Sequence, residues 1–147
     1  MSHELRVERL FDATPEEVFD AYVDPEAQRG WFTILDPGMI VELQVDFRVG
    51  GEWVAAWGFS PVEMFRETQI FLEIDRPNRL VTRSTGSSPD GASLDTYITI
   101  TFEAQDGKTL MTVHQSGFPD ESTRDFFSEN AWVGFFERMG AYLDSVR

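Results

Sequence analysis

The sequence predicts an α+β fold in which a curved antiparallel sheet of about seven strands surrounds a long C-terminal helix, with two short helices after the first strand. Three patterns support this prediction. Apolar residues alternate with polar ones along several stretches between 39 and 115, two helix-start signals follow the first alternating stretch, and 121–146 carries apolar residues at helical spacing. Because turns rather than crossover helices join the strands, the sheet should be antiparallel.

Length and composition indicate one domain and exclude several classes of protein. Of 147 residues, 41% are hydrophobic and 14% aromatic, so 1–147 can bury one substantial core. A net charge of −14 argues against nucleic acid and membrane partners, because both attract clustered basic residues. The chain has no cysteine, no apolar signal core and no apolar run of about 18 residues, so a cytoplasmic location is expected.

The first strand and the two short helices are predicted from local signals. Apolar and polar residues alternate along 5–11, as in a strand with one buried face. The Thr-Pro-Glu-Glu segment at 14–17 supplies an N-cap, a first-position proline and a capping-box glutamate for a helix over about 15–23. Asp-Pro-Glu at 24–26 repeats the signal, so a second short helix should begin there and end near Gly30.

The remaining strands and the final helix follow from periodicity and turn residues. Period-two alternation is clearest over 39–49, and Gly50-Gly51 should turn that strand into the next one. Four further strands are expected near 66–74, 79–85, 94–104 and 108–115. The segment from Glu121 to Val146 should form one long helix with a wide apolar face.

The turn at Gly50-Gly51 decides where two tryptophans point. A two-residue loop would direct Trp53 and Trp57 away from the core, leaving a large apolar patch that a second subunit would have to cover. An odd-length loop avoids this exposure, and we expect one with a left-handed glycine in a bulge. Residues Trp53, Ala55, Trp57 and Phe59 would then share the inner face with Leu43, Val45 and Phe47.

The turn at Asp106-Gly107 bears on the most obvious catalytic candidate, His114. A two-residue turn there places Ile98 and Ile100 on one face and His114 on the opposite face, among threonines. We therefore expect His114 to be structural or exposed. With two histidines, no cysteine and no metal-binding spacing, the sequence predicts no metal site. Gly50-Gly51 lacks the lysine of a phosphate loop, and no cofactor is predicted.

Several segments, in order, are similar to those of one known family. They are Phe11-Asp12-Ala13 with Pro15, Glu17, Val18 and Phe19, then Asp24-Pro25-Glu26 and Trp31, then 46–53, then Glu73-Ile74 with Pro77, Arg79 and Leu80, then 107–114 and Trp132. With these segments the chain resembles the Hsp90 ATPase activator homologue family, within the START-like and birch-pollen-allergen-like superfamily. The resemblance covers nearly the whole chain. It implies a helix-grip fold with a hollow between sheet and helix.

The aromatic-rich faces and this resemblance together predict an apolar ligand cavity. Its expected lining is Leu43, Val45, Trp53, Trp57, Ile70, Ile98, Ile100, Trp132, Phe135 and Met139. The leading hypothesis is a non-enzymatic binding protein for a small apolar or aromatic molecule. The resemblance leaves two alternatives: a lyase, cyclase or hydrolase using an isolated polar group such as Arg9, Arg83 or Tyr97, and a chaperone ATPase-activating partner.

Overall fold

The computed structural model describes residues 3–147, so Met1 and Ser2, which belong to the expected N-terminal segment, lie outside it. Its strands are β1 (His3–Phe11), β2 (Ile40–Val45), β3 (Glu52–Ser60), β4 (Glu63–Asp75), β5 (Arg79–Ser87), β6 (Ser93–Gln105) and β7 (Lys108–Phe118). Its helices are α1 (Pro15–Val23), α2 (Pro25–Thr33), α3 (Glu121–Phe126) and α4 (Trp132–Ser145), with a π-helical segment (Phe127–Ala131) between the last two. The predicted order of elements is confirmed.

All seven strands form one antiparallel sheet in the order β1-β7-β6-β5-β4-β3-β2. Neighbours in the sheet are consecutive in the chain except for β1, which pairs with the last strand, β7. The helices α1 and α2 connect β1 to β2 at the opposite edge of the sheet. The sheet curves around the C-terminal helix, whose Phe136, Met139 and Leu143 are buried against it. This arrangement is the predicted α+β helix-grip fold.

The two short helices begin at the predicted caps. Thr14 Oγ1 accepts a hydrogen bond from the Glu17 amide at 3.2 Å, and the Glu17 side chain accepts one from the Thr14 amide at 2.9 Å. Asp24 caps α2 in the same way, accepting from the Ala27 amide at 3.1 Å. The prediction that α2 ends near Gly30 is wrong, because the helix continues to Thr33.

The C-terminal segment is helical from Glu121 to Ser145 but is not one uninterrupted α-helix. Asp120 caps α3, and the backbone then widens into the π-helical segment before α4 begins at Trp132. Insertions of this kind are rare and frequently lie at functional sites. Here the segment places Phe127 and Ala131 on the wall of an internal cavity. None of the helices within 3–147 is long and apolar enough to cross a membrane.

The connection between β2 and β3 is longer than the expected tight turn. β2 ends at Val45, and Val45 pairs with Trp53 across the seven residues 46–52, among which Gly50 has a φ of 85°. Because an odd number of residues separates Val45 from Trp53, the predicted parity is confirmed and Trp53, Ala55 and Trp57 face inward. Phe59 does not face inward, because the pairing of β3 with β4 shifts between Gly58 and Ser60. Phe59 is 65% exposed as a result.

The β6–β7 hairpin has the predicted register. Gln105 pairs with Lys108 across the two-residue turn, and Ile98, Ile100 and Phe102 are buried. His114 lies on the other face, where its Nε2 atom is 3.3 Å from an Oε2 of Glu4 on β1. His114 is therefore a surface residue that links two strands, as expected.

Candidate functional site

An internal cavity of about 370 Å³ lies between the inner face of the sheet and the helices. This volume is within the range of roughly 300 to 1,000 Å³ that small-molecule sites occupy. Its walls come from α1, α2, β3 to β7, α3, the π-helical segment and α4. The lining residues are Tyr22, Val23, Gln28, Trp31, Phe32, Met39, Trp53, Trp57, Phe65, Glu67, Gln69, Phe71, Leu80, Ile98, Gln115, Phe126, Phe127, Ala131, Trp132, Phe135 and Arg138.

All four tryptophans of the chain line this cavity. Trp31 donates its indole N–H to the Ala21 carbonyl at 2.9 Å, and Trp53 donates to Gln28 Oε1 at 2.8 Å. Trp132 donates to Gln115 Oε1, also at 2.8 Å. Because these N–H groups bind protein acceptors, the three indoles are held in place and their apolar surfaces remain available to the cavity.

Trp57 occupies the edge of the cavity. Its ring stacks on Phe65 of β4, with ring centroids 5.9 Å apart and an interplanar angle of 15°. On its other side it lies 5.3 Å from the ring of Phe32 on α2. Phe65 and Phe126 line the cavity and are also exposed, so these two rings mark the part of the wall that reaches solvent.

One carboxyl group, Glu67 of β4, lies in this otherwise mostly apolar wall. Its Oε2 atom accepts hydrogen bonds from Ser84 Oγ at 2.6 Å and from Gln69 Nε2 at 2.9 Å. Gln69 is held in turn by Thr82, whose hydroxyl donates to Gln69 Oε1 at 2.9 Å. Gln69, Thr82 and Ser84 are all buried, so the network is fixed by the sheet rather than by solvent.

The surroundings of Glu67 change its ionisation. The Glu67 side chain is half-buried because it borders the cavity. Protein atoms surround the cavity, so the carboxyl is removed from bulk water. This desolvation raises the pKa of Glu67 above its usual value of 4.5, and the hydrogen bonds from Ser84 and Gln69 only partly offset the effect. Burial also raises the pKa of the Tyr22 phenol, and the nearby Glu67 carboxyl adds to that rise. In both groups the pKa shift is therefore toward the neutral form.

The cavity also contains one basic side chain, Arg138 of α4. Its Nη2 atom forms an ion pair with Asp36 Oδ2, and Nη1 donates to the Gly134 carbonyl at 3.4 Å. Arg138 Nε is buried and has no hydrogen-bond partner among the described residues. Because Asp36 balances its charge, Arg138 does not make the cavity a site of net positive charge.

The structure brings five of the ten predicted lining residues together at the cavity: Trp53, Trp57, Ile98, Trp132 and Phe135. Ile100 and Met139 are fully buried in the core instead, and Leu43 and Val45 pack against that core without lining the cavity. Ile70, also predicted to line the cavity, does not line it. It is 39% exposed on the outer side of β4, because Glu67, Gln69 and Phe71 occupy the inner positions of that strand.

The three polar residues suggested for an enzyme site all lie outside the cavity. Arg83 pairs with Asp95 at 2.8 Å on the outer surface, and its guanidinium lies over the ring of Tyr97, 5.7 Å from the centroid. Arg9 is exposed on β1, with its guanidinium over Phe11. Arg83 and Tyr97 fall on the outer side of their strands, whereas Arg9 shares the inner face of β1 with Phe11 but is exposed beside Gly140 of α4. None of the three lines the cavity.

Glu67 was not among the predicted lining residues, and a β-bulge sets the register that turns it inward. The turn between β3 and β4 is two residues long, and that turn alone would place Ile70 opposite Trp53. The bulge between Gly58 and Ser60 shifts the register by one residue, so Gln69 pairs with Trp53 and Glu67 with Ala55. The bulge has no clear sequence signal, although Gly58 is a residue type that often accompanies one.

No metal-binding group is found in the part of the chain that the structure describes, 3–147. Within it, no three His, Asp or Glu side chains gather closely enough to hold an ion. The polar atoms of the cavity are those of Tyr22, Gln28, Glu67, Gln69 and Gln115, together with the paired Arg138. They can hydrogen-bond a ligand or carry a proton.

The family described as Activator of Hsp90 ATPase homolog 1-like protein matches residues 12–144. This match confirms the resemblance seen in the sequence segments. No curated protein matches the chain. The matched range includes all of the cavity-lining residues.

Solved structures share the fold at low sequence identity. A protein from Rhizobium leguminosarum has a TM-score of 0.82 and 20% identity, with 99% of this chain and 96% of that chain covered. A Rhizobium loti protein has a TM-score of 0.78 and 21% identity, with 97% of each chain covered. A Staphylococcus epidermidis protein has a TM-score of 0.75 and 25% identity, covering 98% of this chain and 91% of that one.

Proposed function

Because the chain belongs to the Activator of Hsp90 ATPase homolog 1-like protein family, whose superfamily typically binds hydrophobic ligands, we propose that it binds a small apolar or aromatic molecule in its cavity. One observation carries the proposal: all four tryptophans lie around one cavity of about 370 Å³. A filled core would need no such hollow, since protein interiors are normally close-packed.

The walls are suited to an apolar ligand because they are already organised. Three indole N–H groups bind Ala21, Gln28 and Gln115, so binding requires little side-chain ordering at these positions. Trp31 also packs edge-to-face on Phe135, with ring centroids 5.0 Å apart. Aromatic rings fixed in this way offer a ligand large contact surfaces at a small entropic cost.

The electrostatics favour an uncharged ligand. The net charge of −14 opposes the approach of anions. Inside, Arg138 is neutralised by Asp36, and the raised pKa of Glu67 favours its neutral carboxyl. An anionic ligand would therefore lose its hydration without gaining an unpaired cation.

The proposal can be tested with a neutral aromatic hydrocarbon, 2-ethylnaphthalene. In a ¹⁵N–¹H spectrum the four indole N–H signals report directly on the cavity. We expect several of them to shift in a saturable manner, with the backbone fold unchanged. Absence of any saturable shift up to the solubility limit, in a protein that is folded, would contradict the proposal.

A matched pair of variants separates cavity binding from surface binding. Ala131→Phe adds a ring to the cavity wall, whereas Val133→Phe adds the same ring at a position that is 43% exposed on α4. Ala131→Phe should abolish the ligand-induced shifts, and Val133→Phe should retain them. Equal binding by both variants would place the ligand outside the cavity.

Glu67 favours a second candidate function, an enzyme of the lyase or hydrolase type. A neutral carboxyl inside an apolar cavity is an acid that can donate a proton to a bound substrate. Turnover of a neutral ester or hydroxylated aromatic compound that is lost in Glu67→Gln would support this candidate. The chaperone-partner hypothesis stays a prediction, to be checked by the effect of the protein on the ATPase rate of Hsp90.

A further inference from the structure

The hydrogen bonds around Glu67 distinguish its two oxygens. Oε2 accepts from both Ser84 and Gln69, whereas Oε1 accepts no hydrogen bond from the described residues. Glu67 lines the cavity, and its Oε1 atom is not among the fully buried polar atoms that lack a hydrogen-bond partner. Oε1 is thus the oxygen that Glu67 offers to a molecule in the cavity.

The directions of the hydrogen bonds in the same network indicate where a proton on Glu67 lies. Gln69 Nε2 and the Ser84 hydroxyl both direct hydrogens at Oε2, so a proton on that oxygen would meet two donors. Thr82 donates to the Oε1 atom of Gln69, and in this orientation of the amide Nε2 points to Glu67. With both neighbours donating to Oε2, a proton on the neutral carboxyl lies on Oε1, where it has no acceptor among the described residues.

The geometry points to a hydrogen-bonding subsite, formed by Glu67 and held by Gln69 and Ser84, that selects apolar molecules carrying one uncharged carbonyl acceptor, such as aryl ketones. This inference rests on the proposed binding function and adds the ligand's polar group to it. A carbonyl oxygen accepts the Glu67 proton while the rest of the molecule contacts the indoles. An unsubstituted hydrocarbon leaves the donor unpaired.

Two other titratable or charged groups of the cavity lie near the subsite, Tyr22 and Arg138. The titratable group that faces Glu67 from the helices is the Tyr22 phenol on α1, which also favours its neutral form and can donate to a carbonyl. Glu67→Leu keeps this phenol, so the variant separates the two donors. From the sheet, Ala55 of β3 and Gly86 of β5 flank Glu67 and carry no charge. The remaining charged residue of the cavity, Arg138, binds Asp36.

Four naphthalenes of nearly equal shape test the inference: 2-ethylnaphthalene, 2-acetylnaphthalene, 2-naphthoate and 2-(1-aminoethyl)naphthalene. Their dissociation constants are measured from the indole N–H shifts at pH values on both sides of the Glu67 titration. We expect the ketone to bind about 2- to 10-fold more tightly than the hydrocarbon at low pH, since one neutral hydrogen bond contributes that much. The ¹³C signal of its carbonyl should move downfield on binding.

Variants at Glu67 identify the donor. Glu67→Leu should remove the preference for the ketone and the carbonyl shift. Glu67→Gln still presents an N–H donor, so it should keep the preference but lose its pH dependence. The exposed Glu63 on the same strand provides the control, and Glu63→Leu should behave as the unmodified protein does. If Glu67→Leu does not fold, the Glu67→Gln pH profile and the carbonyl shift still decide the question.

Each outcome has a distinct meaning. Equal affinity for the ketone and the hydrocarbon would overturn the subsite while leaving the proposed binding function intact. Tightest binding of the ammonium or the carboxylate would overturn the selection of an uncharged acceptor. No binding of any of the four compounds would instead overturn the proposed function.

Discussion

Trp53 on β3 donates its indole N–H to the side-chain oxygen of Gln28 on α2 at 2.8 Å, and this bond joins the sheet to a helix across the cavity wall. Gln28 is buried, and its own amide nitrogen donates to the Tyr22 carbonyl at 2.7 Å. Gln28 therefore provides a hydrogen-bond partner for both the Trp53 indole N–H and the Tyr22 carbonyl. A buried indole N–H without a partner would be costly at this position.

Replacing Gln28 by leucine should destabilise the fold by about 1 to 3 kcal/mol, because the Trp53 N–H and the Tyr22 carbonyl would both lose their partner. Denaturant unfolding measures this loss. Trp53→Phe provides the second arm of a double-mutant cycle, since it removes the donor. We expect the combined variant to lose less than the sum of the two single losses. Strict additivity would show that the two side chains do not interact energetically.

Glu67→Gln should change how stability depends on pH. Because the folded-state pKa of Glu67 is raised above 4.5, its neutral form favours the fold, and this contribution is present below pH 4.5 and is lost as pH rises through the folded-state pKa. Glutamine stays neutral, so the variant should gain stability relative to the unmodified protein by up to about 1.4 kcal/mol per pH unit within that window. Unfolding at a series of pH values measures the difference.

Comparison with the variant separates Glu67 from the other carboxyl groups. The pKa values of Asp12 and Asp95 are lowered by Arg147 and Arg83, so their contributions are lost at low pH in both proteins. The contributions of Asp12 and Asp95 therefore cancel when the free energy of unfolding of one protein is subtracted from that of the other. A difference that does not vary with pH would mean that Glu67 is ionised normally in the fold.

Gly58→Ala should disturb the bulge that sets the register of β4. A Cβ at position 58 would lie 2.5 Å from the Glu63 carbonyl oxygen, a backbone atom that cannot move without shifting the strand. We expect a loss of about 1 to 3 kcal/mol, typical of overpacking. Gly38→Ala is the matched control, since its Cβ would meet nothing within 4 Å. Similar unfolding midpoints for the two variants would contradict the argument.

Trp132→Ala should lower the free energy of unfolding by about 3 kcal/mol, the lower end of the range for removing a buried tryptophan side chain. The loss is at this end because Trp132 is half-buried and already borders a cavity. The variant also leaves the buried Gln115 without the indole donor. Val133→Ala, at the neighbouring exposed position, should change stability by less than about 1 kcal/mol. A loss below about 1 kcal/mol for Trp132→Ala would show that this indole contributes little to the core.

Much of the fold was determined by signals that act over a few residues. The caps at Thr14 and Asp24 fix where α1 and α2 begin, because a side-chain oxygen there satisfies a free backbone amide. The two-residue turn at Asp106-Gly107 fixes the β6–β7 register and hence the outward position of His114. The need to bury Trp53 was enough to predict the parity of the β2–β3 connection, although not its length.

The polar part of the cavity was decided by tertiary structure alone. Strand side chains alternate with a period of two, so the one-residue shift at the Gly58 bulge exchanges Ile70 for Gln69 and brings Glu67 inward. The ionisation of Glu67 then depends on enclosure by residues distant in the sequence, including Tyr22 and Ser84. Sequence periodicity describes one strand at a time, whereas register and desolvation arise only when strands and helices pack together.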